Sequence, residues 1–178
     1  GQERLVFSGD VGRSDDLLMP APQPVSDADV LLVESTYGNR AHPKDDASAL
    51  LAQIIRETVQ RGGSVLLPAF AVGRAQALLL VLQRLKAAGE IPAELPVYLD
   101  SPMAVRATEL YHKHRRLLRI AAREADHLSD GVHMVGDAKQ SMRLVRSATT
   151  SSTASTRPPG SLRTRPASRR STSPTARS

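Results

Sequence analysis

Two hydrophobic periods alternate along the chain. Short unbroken apolar runs come first, Leu5-Val6-Phe7 within Arg4–Ser8 and then Val30-Leu31-Leu32-Val33. The first stops at Gly9-Asp10-Val11-Gly12, where two glycines bracket an acid, and the second at Glu34-Ser35-Thr36-Tyr37-Gly38. An apolar run flanked by turn residues predicts a strand buried on both faces, as in a sheet covered by helices. Residues 19–29 between the runs hold three prolines, a serine and two aspartates, which is loop composition. From Pro43 the spacing changes to threes and fours. Ala47, Leu50, Leu51, Ile54, Ile55 and Thr58 predict an amphipathic helix stopped by Gly62-Gly63. Ser64–Leu67 predicts a strand closed by Pro68. A second helix opens at Gly73-Arg74-Ala75-Gln76, buries Leu78, Leu79, Val81, Leu82 and Leu85, and ends at Gly89. Pro96–Leu99 predicts a third buried strand, ending in Asp100-Ser101-Pro102, and a third helix runs from Met103 to around Arg123. Strands and helices alternating over short connections predict an α/β fold with a largely parallel sheet. After Leu144 the pattern fails. Residues 147–178 are Ser, Thr, Arg, Pro and Ala with one Leu and one Gly. So little to bury does not offset about 1–2 kcal/mol of backbone entropy per residue, and a disordered tail is expected.

Charge changes the picture only at that tail. The 178 residues carry a formal net charge of +6. Residues 143–178 hold eight arginines and no acid, whereas the preceding part has 16 basic and 18 acidic residues and is net −2. The basic character therefore belongs to the tail. The absence of cysteine excludes a disulfide scaffold and any Cys-ligated zinc or iron–sulfur site. No apolar run approaches the roughly 18 residues of a spanning helix, and no signal-peptide pattern opens the chain. The expectation is a soluble, cytoplasmic protein with no membrane partner.

The candidate chemistry sits at strand ends. Three of the four predicted strands end in a polar group: Asp10, Glu34 and Asp100-Ser101. In open α/β sheets ligands bind outside the carboxyl ends of the strands, so these carboxylates are candidates for one shared site. An acid after a strand is also a turn former or a helix N-cap, and both readings stand at this point. Asp10 between two glycines suits a cation that needs close backbone approach. Glu34, after a buried strand, suits acid–base work. The helix starts at Gly73-Arg74 and Ser101-Pro102 present free N–H groups and a positive dipole end that accept phosphate, and Arg74 strengthens the first. The histidines carry little metal signal. His112 and His114 are two apart, about 200° around a helix axis, and do not share one ion. His127 and His133 lack a partner at ligand spacing, and His42 lies in the loop after Tyr37-Gly38.

Several segments together resemble one family. Ser8-Gly9-Asp10-Val11-Gly12-Arg13, then Glu34-Ser35-Thr36-Tyr37-Gly38-Asn39-Arg40-Ala41-His42, are similar to motifs of the metallo-β-lactamase-fold nucleases with a β-CASP insert. Pro68-Ala69-Phe70-Ala71-Val72-Gly73-Arg74-Ala75-Gln76, Asp100-Ser101-Pro102-Met103-Ala104 and the weaker Gln140-Ser141-Met142-Arg143-Leu144 continue the match in order. The resemblance covers residues 1 to 144. It implies part of a metallo-β-lactamase αββα domain over 1–38, a partial β-CASP domain over 39–144 with a mostly parallel sheet flanked by helices, and the tail over 145–178. It implies an RNA-processing nuclease in which two zinc ions activate water on a phosphodiester. Asp10 then matches the aspartate bridging the two metals. Glu34 matches the acid that supports the catalytic histidine network without being a principal ligand. Arg74 and Ser101, at helix starts in the insert, would face RNA; that step is inferred from helix-end physics.

The chain also departs from the family. The His-x-His-x-Asp-His signature that supplies most zinc ligands is absent, and no histidine follows Leu144. The expectation is a fragment of a zinc-dependent ribonuclease that alone does not hold its metals and is inactive. The alternative is a non-catalytic module that binds RNA through the β-CASP cleft and the Arg-rich tail, and a third reading is a non-functional product. The tail reads either as a basic RNA-binding segment or as a GC-rich gene continued out of frame, which the nucleotide sequence decides. RNA is the implied partner; self-association stays open.

Overall fold

The computed structural model describes residues 1–41, 46–69 and 72–153, with side chains as far as Arg146. The two leading apolar runs form strands β1 (Leu5–Phe7) and β2 (Val30–Leu32), which pair in parallel with Leu5 opposite Val30 and Phe7 opposite Leu32. Parallel pairing puts both carboxyl ends at the same edge. Burial on both faces does not hold for this pair. β2 is exposed throughout, Leu31 at 54%, because burying both faces requires a layer on each, and among the described residues this sheet has two strands and no layer covers β2.

Helix α1 (Ala47–Gln60) is as its spacing predicts. Asp46 caps it, its carboxylate accepting from the N–H groups of Ser48 (2.9 Å) and Ala49 (3.2 Å). Gly62, at φ +70°, turns the chain out of the helix. Ala52 and Ile55 pack against Leu82 and Leu85 of helix α2 (Arg74–Ala87) and against Ile91, and Val65 closes that cluster. Val65 is the one residue of the predicted Ser64–Leu67 strand that packs inward there. The segment is irregular and Leu66 is 87% exposed, since no described strand lies beside it to form a ladder. Helix α2 is buried on two sides. Leu79, Leu80, Leu82 and Leu85 are buried, while the expected Leu78 and Val81 are half-buried. Leu80 replaces them because the helix also packs on a second cluster, with Leu18 and Leu128.

Strand β3 (Val97–Asp100) pairs in parallel with β4 (Val132–Val135), which the sequence pattern did not indicate. β3 is half-buried rather than fully buried: Val97 and Leu99 turn inward, Tyr98 and Asp100 outward. The ring of Tyr98 stacks on that of His133 at 4.8 Å. The third predicted helix is broken. Helix α3 runs from Pro102 to Lys113, a single-turn 3-10 helix covers Arg115–Leu117, and helix α4 covers Ala122–Asp126. The backbone N–H of Arg119 donates instead to the carbonyl of Leu18 (2.8 Å), so the helical ladder does not pass that residue. The break brings Ala125 and Leu128 into the core. Helix α5 (Ala138–Thr153) starts where Asp137 accepts from the N–H of Gln140 (2.8 Å) and continues past Leu144, the expected end of ordered chain. The remainder of the tail lies outside the described residues. Among the described residues the α/β class and parallel pairing are present as two separate two-stranded sheets instead of one larger sheet. Among the described residues no helix is long and apolar enough to cross a membrane.

Candidate functional site

Asp10 and Glu34 meet at the carboxyl edge of β1 and β2. The ladder runs one residue further, Ser8 N–H donating to the Leu32 carbonyl (2.9 Å). The Ser8 hydroxyl accepts from Glu34 N–H (3.0 Å) and donates to the Gly9 carbonyl (2.7 Å). Gly9 takes φ +56°, which lets the chain turn back after β1. The Glu34 carboxylate then accepts from Thr36 N–H (2.9 Å) on its own strand end and from Val11 N–H (3.3 Å) in the loop that holds Asp10. Glu34 is thus a clamp that closes the Gly9–Gly12 loop onto β2. The backbone N–H and hydroxyl of Thr36, then Val11 N–H, hold its carboxyl below the ordinary 4.5. Asp10 itself is exposed and has no hydrogen-bond partner among the described residues.

The donor set does not fit a pair of zinc ions. Among the described residues no three His, Cys, Asp or Glu side chains come together as a metal would need. His112 Nε2 bonds the Ser129 hydroxyl (2.8 Å), His127 Nδ1 bonds Asp130 (2.7 Å), and His133 stacks on Tyr98. None of the described partners of Glu34 is a histidine. His42 lies outside the described residues. The third strand-end acid is separate too: Asp100 accepts from the Ser141 hydroxyl (2.7 Å) and ties β3 to α5.

A second corner joins the starts of α2 and α3. Gly73 at φ +91° is the N-cap of α2, and its N–H donates to Gln76 Oε1 (2.9 Å). Gln76 is 0% exposed; its Nε2 donates to Thr108 Oγ1 (3.0 Å) and to the Ala104 carbonyl (3.2 Å), both in α3. One buried amide therefore fixes both helix starts relative to each other. Ser101 caps α3, accepting from Ala104 N–H (3.2 Å), so the turn-and-cap reading holds for it. Arg74 is exposed in the first turn of α2 and has no ion-pair partner among the described residues. The cleft between Val72, Gln76, Ser101 and Met103 holds about 20 Å³, room for one water and not for a nucleotide.

The segment after Asp10 is bolted to the second corner. Asp16 Oδ1 accepts from the N–H groups of Leu18 (2.8 Å) and Met19 (2.7 Å), forming a turn that presents Leu18. Leu18 is 1% exposed among Leu79, Leu80 and Leu128. The Arg119 guanidinium donates to the carbonyls of Ser14 (2.8 Å) and Asp16 (3.2 Å). The Tyr111 hydroxyl reaches Met19 Sδ (3.8 Å) and stands 3.1 Å from where a Cβ on Gly73 would lie. Burial, then the charge of Asp16, raises the Tyr111 pKa above its ordinary 10. Sequence reasoning passed over Gln76, Leu18 and Arg119. Gln76 had a local signal, an amide three residues after a helix cap; the others act across long sequence separations and had none.

The Beta-Casp domain family matches residues 75–169. The chain is 41% identical over 121 residues to "Ribonuclease TTHA0252" of Thermus thermophilus, covering 67% of this chain and 27% of that protein. It is 36% identical over 113 residues to "Cleavage and polyadenylation specificity factor 73" of Drosophila melanogaster, covering 62% and 16%. It is 34% identical over 113 residues to an "RNase J-like protein" of Methanocaldococcus jannaschii, covering 61% and 26%. The matched part spans about a quarter or less of the length of these relatives.

Proposed function

Because the chain belongs to the Beta-Casp domain family, we propose that it is part of an enzyme that hydrolyses RNA phosphodiester bonds, contributing the β-CASP unit and one strand-end corner of the hydrolase site. The observation that carries this is the Asp10 loop, clamped by Glu34 where two parallel strands end together. Such an edge is where an α/β sheet binds its ligand. In this reading Asp10 offers its carboxylate toward the metal pair of the whole enzyme. Glu34 holds the loop that carries Asp10, and Arg74 meets an RNA phosphate at the start of α2. Among the described residues no cluster supplies the remaining metal donors, so in this reading the chain by itself binds RNA and does not cut it. The second reading, a non-catalytic RNA-binding module, describes this chain in isolation and is favoured by the lack of a metal-binding cluster among the described residues.

Arg74 provides the test. A guanidinium at a helix N-terminus adds a charge-assisted hydrogen bond to the dipole, and losing it removes about 1.5–3 kcal/mol of binding. Arg74→Ala is expected to weaken the binding of a labelled single-stranded RNA by roughly tenfold or more, read by fluorescence anisotropy. The slope of log affinity against log salt is expected to fall by about 0.7. Unchanged affinity and slope would remove Arg74 from the site.

A further inference from the structure

Five of the sixteen Lys and Arg residues that precede Arg143 fall within Lys113–Arg123, which holds no acid. The remaining eleven are outnumbered by eighteen acids, so this stretch is a positive ridge on an otherwise acidic body. It is carried by the end of α3, the 3-10 turn and the start of α4, elements held in place by their own bonds. Arg115 pairs with Asp126 (2.8 Å), tying the turn to α4, and Arg119 is bound to the carbonyls of Ser14 and Asp16. Of the nearby acids, Glu109 stands one turn before Lys113 on α3, and the others are engaged elsewhere as well. Glu124 pairs with Arg84 (2.7 Å), Asp130 with His127 (2.7 Å), and the Asp16 carboxylate takes two backbone N–H groups. Lys113, Arg116 and Arg123 are exposed and have no ion-pair partner among the described residues.

We propose that Lys113, Arg116 and Arg123 form a second contact for the RNA backbone, separate from the Arg74 corner and gripping phosphates of the same strand. The ridge lies at the opposite end of α3 from Ser101, about 18 Å away at 1.5 Å per residue over twelve residues. A strand that reaches both ends is several nucleotides long. Guanidinium groups pair with phosphate oxygens through two parallel hydrogen bonds, and such contacts hold without reading sequence. The partner is a polyanion strand and not a lipid surface. Interfacial segments need a broad exposed apolar face, whereas among the large apolar residues of Lys113–Arg123 Leu117 alone is exposed; Leu118 and Ile120 are half-buried and Ile120 packs on the second cluster. The proposal rests on the ribonuclease reading above, and the experiment separates the two.

The test is arginine footprinting of the full chain with phenylglyoxal, read residue by residue by mass spectrometry, with and without a mixed-sequence single-stranded RNA. Site-resolved protection separates the ridge from the arginines of the tail. Arg116 and Arg123 are expected to react severalfold more slowly with RNA, together with Arg74, while the ion-paired Arg56 and Arg84 are unchanged. The Arg116→Ala/Arg123→Ala variant is expected to lower the salt slope by about 1.4, two phosphate contacts at 0.7 each. Protection of Arg74 alone overturns the second contact and leaves the ribonuclease reading standing. Protection of none of the three overturns both. Protection of Arg116 and Arg123 by anionic phospholipid vesicles and not by RNA also overturns it.

Discussion

Leu18→Ala is expected to lower the stability of the chain by about 2–5 kcal/mol, a drop of about 4–20 °C in melting temperature. Leu18 comes from a loop, yet it is almost fully buried, filling the space between Leu79 and Leu80 of α2 and Leu128 after α4. Truncation removes its transfer free energy and leaves a cavity that rigid helix neighbours fill only in part. The loss has a second effect specific to this fold. Leu18 is the anchor of the segment after Asp10, and the Leu18 carbonyl is the acceptor for the Arg119 N–H that interrupts the third predicted helix. Amide hydrogen exchange is therefore expected to quicken at Leu18, Met19 and Arg119 before the rest of the chain opens. Leu17, its exposed neighbour, is the control; Leu17→Ala is expected to cost less than about 0.5 kcal/mol. Equal melting curves for Leu18→Ala and the parent chain would show that the loop is not built into the core.

Gln76→Ala carries the other large effect. The side chain accepts from Gly73 N–H and donates to Thr108 and to the Ala104 carbonyl, with no exposure to water. Removing it leaves the Gly73 N–H without its acceptor and opens a void between α2 and α3. Each contributes, and the total is about 2–4 kcal/mol. Thr108 keeps its bond to the Ala104 carbonyl (2.8 Å), so the damage is centred on the Gly73–Arg74 turn. Gln76→Glu separates the parts. It keeps an acceptor for Gly73 but places a negative charge against the Ala104 carbonyl, so it is expected to destabilise at least as much without speeding exchange at Gly73. If Gln76→Ala leaves thermal melting and Gly73 exchange unchanged, the amide does not join the helix starts.

The parts of this fold that were legible in the sequence are those with a local cause. The three-and-four spacing from Ala47 to Thr58 and the leucines after Arg74 appear as α1 and α2 within a residue or two. The strand at Val30 was legible as a strand, but its burial was not, because burial depends on layers that a periodicity does not reveal. The same reason removes the strand at Ser64–Leu67, which has no ladder partner, and splits the helix after Lys113, where Arg119 bonds a loop more than a hundred residues away in sequence. At the site, Asp10 and Glu34 were legible as strand ends and do adjoin, since the two strands are parallel neighbours. Asp100 is also a strand end, but it belongs to another sheet and bonds Ser141. Net charge pointed only to the tail; the ridge at Lys113–Arg123 was hidden by the acids around it and became visible once Glu124, Asp130 and Asp16 were found engaged.

The most direct measurement is to incubate the purified full chain with zinc and an end-labelled single-stranded RNA, following both retention and length of the RNA. Under the proposed function the expected result is salt-sensitive binding of RNA that stays full length. Zinc-dependent shortening that a chelator abolishes would contradict the assignment of this chain as a part that binds without cutting, and absence of RNA binding at low salt would contradict the nucleic-acid function itself.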